Sequence, residues 1–262
     1  MTGPKSLFVF MHDSPARWED DLNRYFDFDH IQDRLSCQGW RGAERFVLSD
    51  VEPAGWNPAQ RWTTYLYFHH VDSLDALTSR AREAFAAGSP WARAQREQQR
   101  PGGVLAPSRG IRTGWTQRPS PWLGTTSYRM PPPRVIYVVL RDVEPDDDDA
   151  VNAYLDSELV PEMLMSPGFL HCERYEAGPA LPATPGSDDV APPRYLDIFD
   201  VASPEVLSSE SYRLRSSSLS GRGRALSGSI TVRGAGVYVQ RSSPWMIEPW
   251  NPNAPPPGPE HG

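Results

Sequence analysis

Aliphatic side chains alternate with aromatic or polar ones over residues 6–12 and again over 63–71. Leu7, Val9, Met11, Leu66 and Phe68 therefore fall on one side of two strands, and Phe8, Phe10, His12, Tyr65, Tyr67 and His69 on the other. The pattern returns over 135–141 and 193–201, with Ile136, Val138, Leu140, Leu196 and Ile198 opposed to Tyr137, Arg141, Tyr195, Asp197 and Phe199. Trp18, Leu22, Tyr25 and Phe26 stand at helical spacing and predict a helix over 18–35, followed by a strand over 42–48. Asp72 or Ser73 caps a second helix through Phe85. Gly88 breaks it before a short helical stretch at Pro90 and Trp91, and a fourth strand covers 114–118.

Residues 6–46 lie without a gap on 135–175, and 63–77 on 193–207. Asn23, Tyr25, Asp27, Gly39, Glu44 and Arg45 recur as Asn152, Tyr154, Asp156, Gly168, Glu173 and Arg174, and the ends WTQRPSPW and YVQRSSPW nearly coincide. Such a period predicts two copies of one unit, each running strand, helix, strand, long loop, strand, helix, strand. That order is the split βαβ of ferredoxin-like folds, so the expected class is α+β with tandem ferredoxin-like repeats. The expected division is a first unit over 1–122, a Pro-rich linker over 123–133, a second unit over 134–245 and a disordered tail over 246–262. The segment SSSLSGRGRALSGS reads as poorly structured.

The aliphatic face is expected beneath the helices. The opposite face mixes aromatic rings with His, Arg and Asp, a composition that burial penalises unless the polar groups are satisfied, so it reads as a ligand cavity between two facing sheets. Trp62, Tyr65, Tyr67, His12, Tyr137, Asp197 and Trp115 are its expected substrate contacts, for a small aromatic substrate.

A net charge of -7 and the absence of a basic patch disfavour nucleic acid as a partner. The apolar run at the start is too short for a signal core and nothing approaches a membrane span, so a cytoplasmic protein is expected. Cys37 and Cys172 are not repeat equivalents and read as reduced thiols. No spacing indicates a metal site. The Asp146 to Asp149 run precedes a helix and reads as a solvated cap.

The stretch NRYFDFDHIQDRLSCQGWRGAERFV resembles the signature of the dimeric α+β-barrel superfamily, in particular its EthD-like and antibiotic-biosynthesis-monooxygenase-like branches. The matching residues are Asp27, Asp29, His30, Gly39, Trp40, Ala43, Arg45 and Phe46; the second copy departs with Leu159 in place of His30, and the first with Gln38 in place of Pro167. The superfamily includes cofactor-independent oxygenases of aromatic polyketide biosynthesis, flavin-assisted ring-opening oxygenases with two fused barrels, isomerases, EthD-like lyases and haem proteins. The resemblance implies a homodimer, no tightly bound cofactor, and either no cosubstrate besides O2 or a diffusible reduced flavin.

His30 heads the chemical candidates, because an imidazole exchanges a proton near neutral pH, and Asp27 lies one helical turn before it. His69 is a second acid or base. Arg141, at the position of His12, is a counterion for an enolate or phenolate, or else a structural partner of Asp197. Three readings stay open: an oxygenase of flat phenolic polyketide-like substrates, a redox-neutral cyclase, isomerase or dehydratase, and a non-catalytic binding protein.

Overall fold

The computed structural model describes residues 6–13, 19–26, 30–35, 37–77, 109–118, 133–178 and 191–241. Eight strands carry the fold: β1 (Ser6–Asp13), β2 (Trp40–Leu48), β3 (Tyr65–Val71), β4 (Arg109–Gln117), β5 (Val135–Val143), β6 (Phe169–Ala177), β7 (Tyr195–Val201) and β8 (Ile230–Gln240). They close into one antiparallel barrel in the order β1-β3-β2-β8-β5-β7-β6-β4. The two units thus complete a barrel within one chain, joined at the seams β2–β8 and β4–β6, and this closure needs no second copy.

The repeat is visible in the pairing itself. Ser6 faces Val71 as Val135 faces Val201, each the residue the sequence alignment makes equivalent. Both units carry an irregularity at the same place, between Trp40 and Gly42 and between Phe169 and His171. Phe46 pairs with Gln240 at one seam and Tyr175 with Gln117 at the other, again equivalents. Gly39 and Gly168, at φ 86° and 90°, turn the chain into β2 and β6, a backbone conformation that favours glycine.

The helices lie outside the barrel: α1 (Glu19–Tyr25) and α2 (Ile31–Leu35) in the first unit, and α3 (Asp148–Tyr154), α4 (Val160–Leu164), α5 (Glu210–Ser217) and α6 (Gly221–Leu226) in the second. A π turn over Leu155–Leu159 joins α3 to α4, and Phe26 and His30, their equivalents, have the same π character. Of the first unit's expected second helix, the 3-10 turn Leu74–Leu77 is described; the rest, like the linker through Pro132 and the tail, lies outside the described residues. The SSSLSGRGRALSGS segment is ordered, against expectation. Ser209 caps α5 and Ser220 caps α6, and Gly223 packs so closely on Tyr154 that a Cβ would stand 2.4 Å from its hydroxyl. Serine reads as loop composition, but here it caps helices. Asp148 of the acidic run is also more than a solvated cap, since it accepts from Tyr195 and pairs with Arg194.

The face assignment from the sequence is reversed. Leu7, Val9, Met11, Phe46, Leu66, Phe68, Trp115, Ile136, Val138, Leu140, Tyr175, Leu196, Ile198 and Tyr238 form one cluster spanning all eight strands, so the aliphatic face is the barrel interior. An eight-stranded barrel is just wide enough for side chains to fill. The aromatic and polar face looks outward, beneath the helices: Phe8, Phe10, Tyr65 and Tyr67 pack with Phe26, Cys37 and Leu77. Among the described residues the space between the expected facing sheets is filled by this packed interior cluster. Trp62 belongs to the interior cluster and lies against Gly234, so it and Trp115 are apart from the other expected substrate contacts.

One end of the barrel is closed by polar groups. Arg134 holds Glu44 with both oxygens at 3.0 Å and Asp200 at 2.6 Å, His70 lies 2.9 Å from Glu44, and Gln240 donates to Glu44 at 3.2 Å. In the equivalent place Gln117 donates to Glu173 at 3.4 Å and the Tyr175 hydroxyl donates to it at 2.8 Å. Although burial opposes its charge, Arg134 and His70 bring the Glu44 carboxyl down to about 2. Cys37 and Cys172 are both buried and are not joined in a disulfide.

Candidate functional site

Register sets the helix-facing side chains of the first unit in rows across the sheet. Phe8 stands opposite His69 and His69 opposite Ala43; Phe10, Tyr67 and Arg45 form the next row; His12, Tyr65 and Val47 form the third. The α1–α2 segment lays Phe26 and His30 over these rows. The result is a continuous aromatic layer: His12 stacks on Phe10 at 4.9 Å, Phe26 at 5.1 Å and Tyr65 at 5.2 Å, and Phe26 meets Tyr67 at 4.6 Å and His30 at 4.9 Å. His69 then lies 5.6 Å from His30, 5.1 Å from Trp40 and 5.8 Å from Phe8. Arg34 of α2 covers the Trp40 ring at 5.1 Å.

His69 is fully buried, and neither ring nitrogen has a hydrogen-bond partner among the described residues. Burial, with the positive charge of Arg34 second, drives its pKa well below the ordinary imidazole value, so the ring is neutral. His12 is differently placed: Nδ1 lies 3.3 Å from the Asp13 carbonyl and Nε2 3.4 Å from the Tyr67 hydroxyl. Tyr65 donates to Glu19, and burial followed by that carboxylate raises its pKa. Buried Arg45 donates to Asn23 and lies over the Tyr65 and Tyr67 rings at 5.3 and 5.2 Å.

The second unit is an internal control. Its Arg174 donates to Asn152, Asp156 and Asp197, Asn152 donates to the Tyr195 hydroxyl at 3.1 Å, and Tyr195 donates to Asp148 at 2.6 Å. This Arg–Asn and Tyr–acid scaffold matches Arg45–Asn23 and Tyr65–Glu19. Where the first unit has His12 and Tyr67, the second has Arg141 donating to Asp197, which makes a buried ion pair. The positions of His30, Arg34, Trp40, His69, Phe8 and Ala43 hold Leu159, Met163, Phe169, Phe199, Tyr137 and Cys172, and these form a plain apolar cluster with Tyr212. The same helix–sheet contact is therefore built once from apolar groups and once around two imidazoles and a guanidinium.

Of the expected site residues, His12, His30, Tyr65, Tyr67 and His69 come together. Tyr137, Arg141 and Asp197 occupy the equivalent layer of the other unit, Trp62 and Trp115 the barrel interior, and Asp27 lies outside the described residues. Sequence reading passed over Arg34 as a participant, although the alignment sets it against Met163. Among the described residues no group of His, Cys, Asp or Glu is arranged to hold a metal ion.

A haem requires an axial ligand and a flat slot. The second unit offers Arg141, Leu159 and Phe199 where the first has imidazoles, and the first unit's imidazoles are packed against neighbouring rings at 4.9 to 5.8 Å across the layer. The residues present do not fit a haem as they are packed. No helix among the described residues is long and apolar enough to cross a membrane.

No protein-family model matches the chain, and no curated protein matches it. Among solved structures it is similar to an anthrone oxidase-like protein, at 13% identity and a TM-score of 0.57, over 94% of this chain and 95% of that one. It is also similar to a monooxygenase candidate from Fusobacterium nucleatum subsp. nucleatum (12% identity, TM-score 0.50, 92% and 93% covered) and to a mutant chlorite dismutase from Candidatus Nitrospira defluvii (10%, 0.53, 92% and 93%). At these identities the likeness is one of fold: the chain shares the ferredoxin-like α+β fold of those proteins.

Proposed function

We propose that the chain is an oxygenase acting on a flat phenolic substrate of the aromatic polyketide type, with its site in the helix–sheet layer of the first unit. The observation that carries the placement is His69, an imidazole buried with both nitrogens unsatisfied where the equivalent residue is Phe199. A buried polar group left unsatisfied costs on the order of 1–3 kcal/mol, so its presence where an apolar residue packs well points to a ligand. The fold it shares with an anthrone oxidase-like protein supports the oxygenase reading.

His69, a neutral buried imidazole, accepts a proton from the substrate, which converts a neutral pair into an imidazolium and a resonance-stabilised carbanion. Trp40 and Phe8 hold the substrate plane and exclude water, and His30 stands beside the exchanging proton. The carbanion reduces O2 directly. For an anthrone, the ring CH2 becomes a carbonyl that carries one oxygen atom and the other leaves as water, a four-electron balance that needs no further reductant. A reduced flavin supplied from solution is the cosubstrate where the substrate itself gives too few electrons.

The test is oxygen consumption by the purified, metal-stripped protein with an anthrone, comparing wild type with His30→Ala and His69→Ala. Uptake that falls in either variant supports the reading. Product formed without oxygen consumption replaces it with a redox-neutral cyclase or lyase, and binding without turnover leaves a carrier.

A further inference from the structure

We propose that the exposed face of the α5–α6 segment is a docking surface for an acidic segment of a partner protein, one that brings apolar side chains together with its carboxylates. The surface belongs to the second unit, and docking there is independent of the oxygen chemistry assigned to the first. Residues 210–233 carry five arginines and one glutamate in a chain of net charge -7, and no acid falls between Ser211 and Arg233. Serine and glycine intersperse these arginines, so no basic patch stands out in the sequence. Arg213, Arg222 and Arg224 are exposed and Arg215 is half-buried, and Leu214 and Leu219 stand among them at 60% and 37% exposure. One exposed leucine needs no explanation, but two set among four arginines over residues 213–224 make a mixed cationic and apolar surface.

Packing holds this surface in place. Ser209 and Ser220 cap the two helices, the Ser220 hydroxyl donates to Glu158 at 2.7 Å, and Gly223 lies against Tyr154. Arg224 donates to the Leu219 carbonyl at 2.6 Å, which ties α6 to the loop before it. Glu158 lies 3.4 Å from Arg222, and Glu210 lies 3.7 Å from Arg213 with both side chains largely exposed, a pair worth little in water. Among the described residues no carboxylate pairs with Arg215 or Arg224. The planar guanidinium fork matches a carboxylate with two donors, and arginine is enriched at the core of protein interfaces. The leucines set the partner's class. The phosphates of a nucleic acid offer them no apolar contact, and the chain's net negative charge opposes an extended anionic lipid surface. A short acidic segment with apolar side chains satisfies both the arginines and the leucines.

Fluorescence anisotropy of the full chain with a labelled helix-forming peptide of Glu, Leu and Ala tests this, against a counterpart peptide with Gln for Glu. Wild type is expected to bind the acidic peptide at least ~10-fold more tightly than the neutral one, and Arg215→Glu with Arg224→Glu to lose at least ~10-fold of that affinity. Arg215→Glu alone, which leaves the Arg224 contact to the loop intact, and Leu214→Ser should each weaken binding by about 3-fold or more. Thermal unfolding checks that each variant folds. Equal binding of the two peptides, binding of neither, or affinity undiminished in the folded variants would overturn the proposal. So would a DNA duplex or phosphatidylserine vesicles bound more tightly than the acidic peptide, or self-association of wild type that Arg215→Glu abolishes, which would make a second copy the occupant.

Discussion

Replacing His69 by phenylalanine, the residue its equivalent position carries, should make the protein more stable. The ring sits at 0% exposure with Nδ1 and Nε2 both unsatisfied, and each such group costs on the order of 1 kcal/mol or more. Phe8 and Trp40 already offer an apolar surround, so His69→Phe is expected to gain roughly 1–3 kcal/mol, which for a chain of this size raises Tm by about 2–8 °C. The gain must also depend on pH. His69 in the folded protein is held well below the ordinary value, whereas the unfolded chain takes up a proton near pH ~6.5. Above that pH both states are neutral at this site; below it the unfolded state binds the extra proton, so wild type loses stability at up to ~1.4 kcal/mol per pH unit. The variant has no such group, and its advantage should widen between pH 7.5 and 5.5. Urea unfolding at the two pH values, read as midpoints at constant m, measures both effects. A variant less stable than wild type by more than about 1 kcal/mol, or an advantage that does not change with pH, would refute the account of a strained, functional imidazole.

Other consequences follow from the same packing. Glu44, depressed to about 2 from an ordinary 4.5, stabilises the fold fully above pH ~4.5, and roughly 3 kcal/mol of that is lost as pH falls toward 2; acid unfolding of Glu44→Gln should be correspondingly flatter. Arg134→Met leaves Glu44 and Asp200 buried without their shared cation and should destabilise by about 3–5 kcal/mol in urea unfolding. Arg141→Met alone leaves Asp197 to Arg174 and should cost less than the ~3–5 kcal/mol of a fully broken buried pair, while Arg141→Met with Asp197→Leu should recover most of that loss because Arg174 keeps Asp156 and Asn152. A Cβ at Gly168 would stand 2.4 Å from a Val206 methyl in a backbone held at φ 90°, so Gly168→Ala should lower stability by more than ~1 kcal/mol.

The duplication was legible because its blocks align without gaps, and the alignment carried the pairing register with it: Ser6 to Val71 in one unit and Val135 to Val201 in the other. Which face was inside was not legible. Period two separates Leu7, Val9 and Met11 from Phe8, Phe10 and His12, yet both sets are apolar enough to be buried, and both are. What decides between them is closure: with all eight strands in one ring, the interior accepts Leu, Val, Ile and Phe from both units and leaves the His and Tyr rows to the helices. Expecting the reverse also separated Trp62 and Trp115 from their true surroundings. Arg34 went unnoticed because an arginine in an amphipathic helix reads as surface; set against Met163, it marks the corner that the two units do not share. Arg141 and Asp197 were correctly joined, but as the ion pair that fills the second unit's layer.

The account stands on the claim that chemistry resides in the first unit's layer and that its counterpart is structural. Oxygen uptake with an anthrone under kcat/KM conditions, for His69→Phe and for the Arg141→Met, Asp197→Leu double variant, tests it directly. A loss of about 100-fold or more is expected in the first and retention within about 3-fold in the second. Full activity in His69→Phe, or its loss in a folded double variant, would contradict it and move the site to the other half of the barrel.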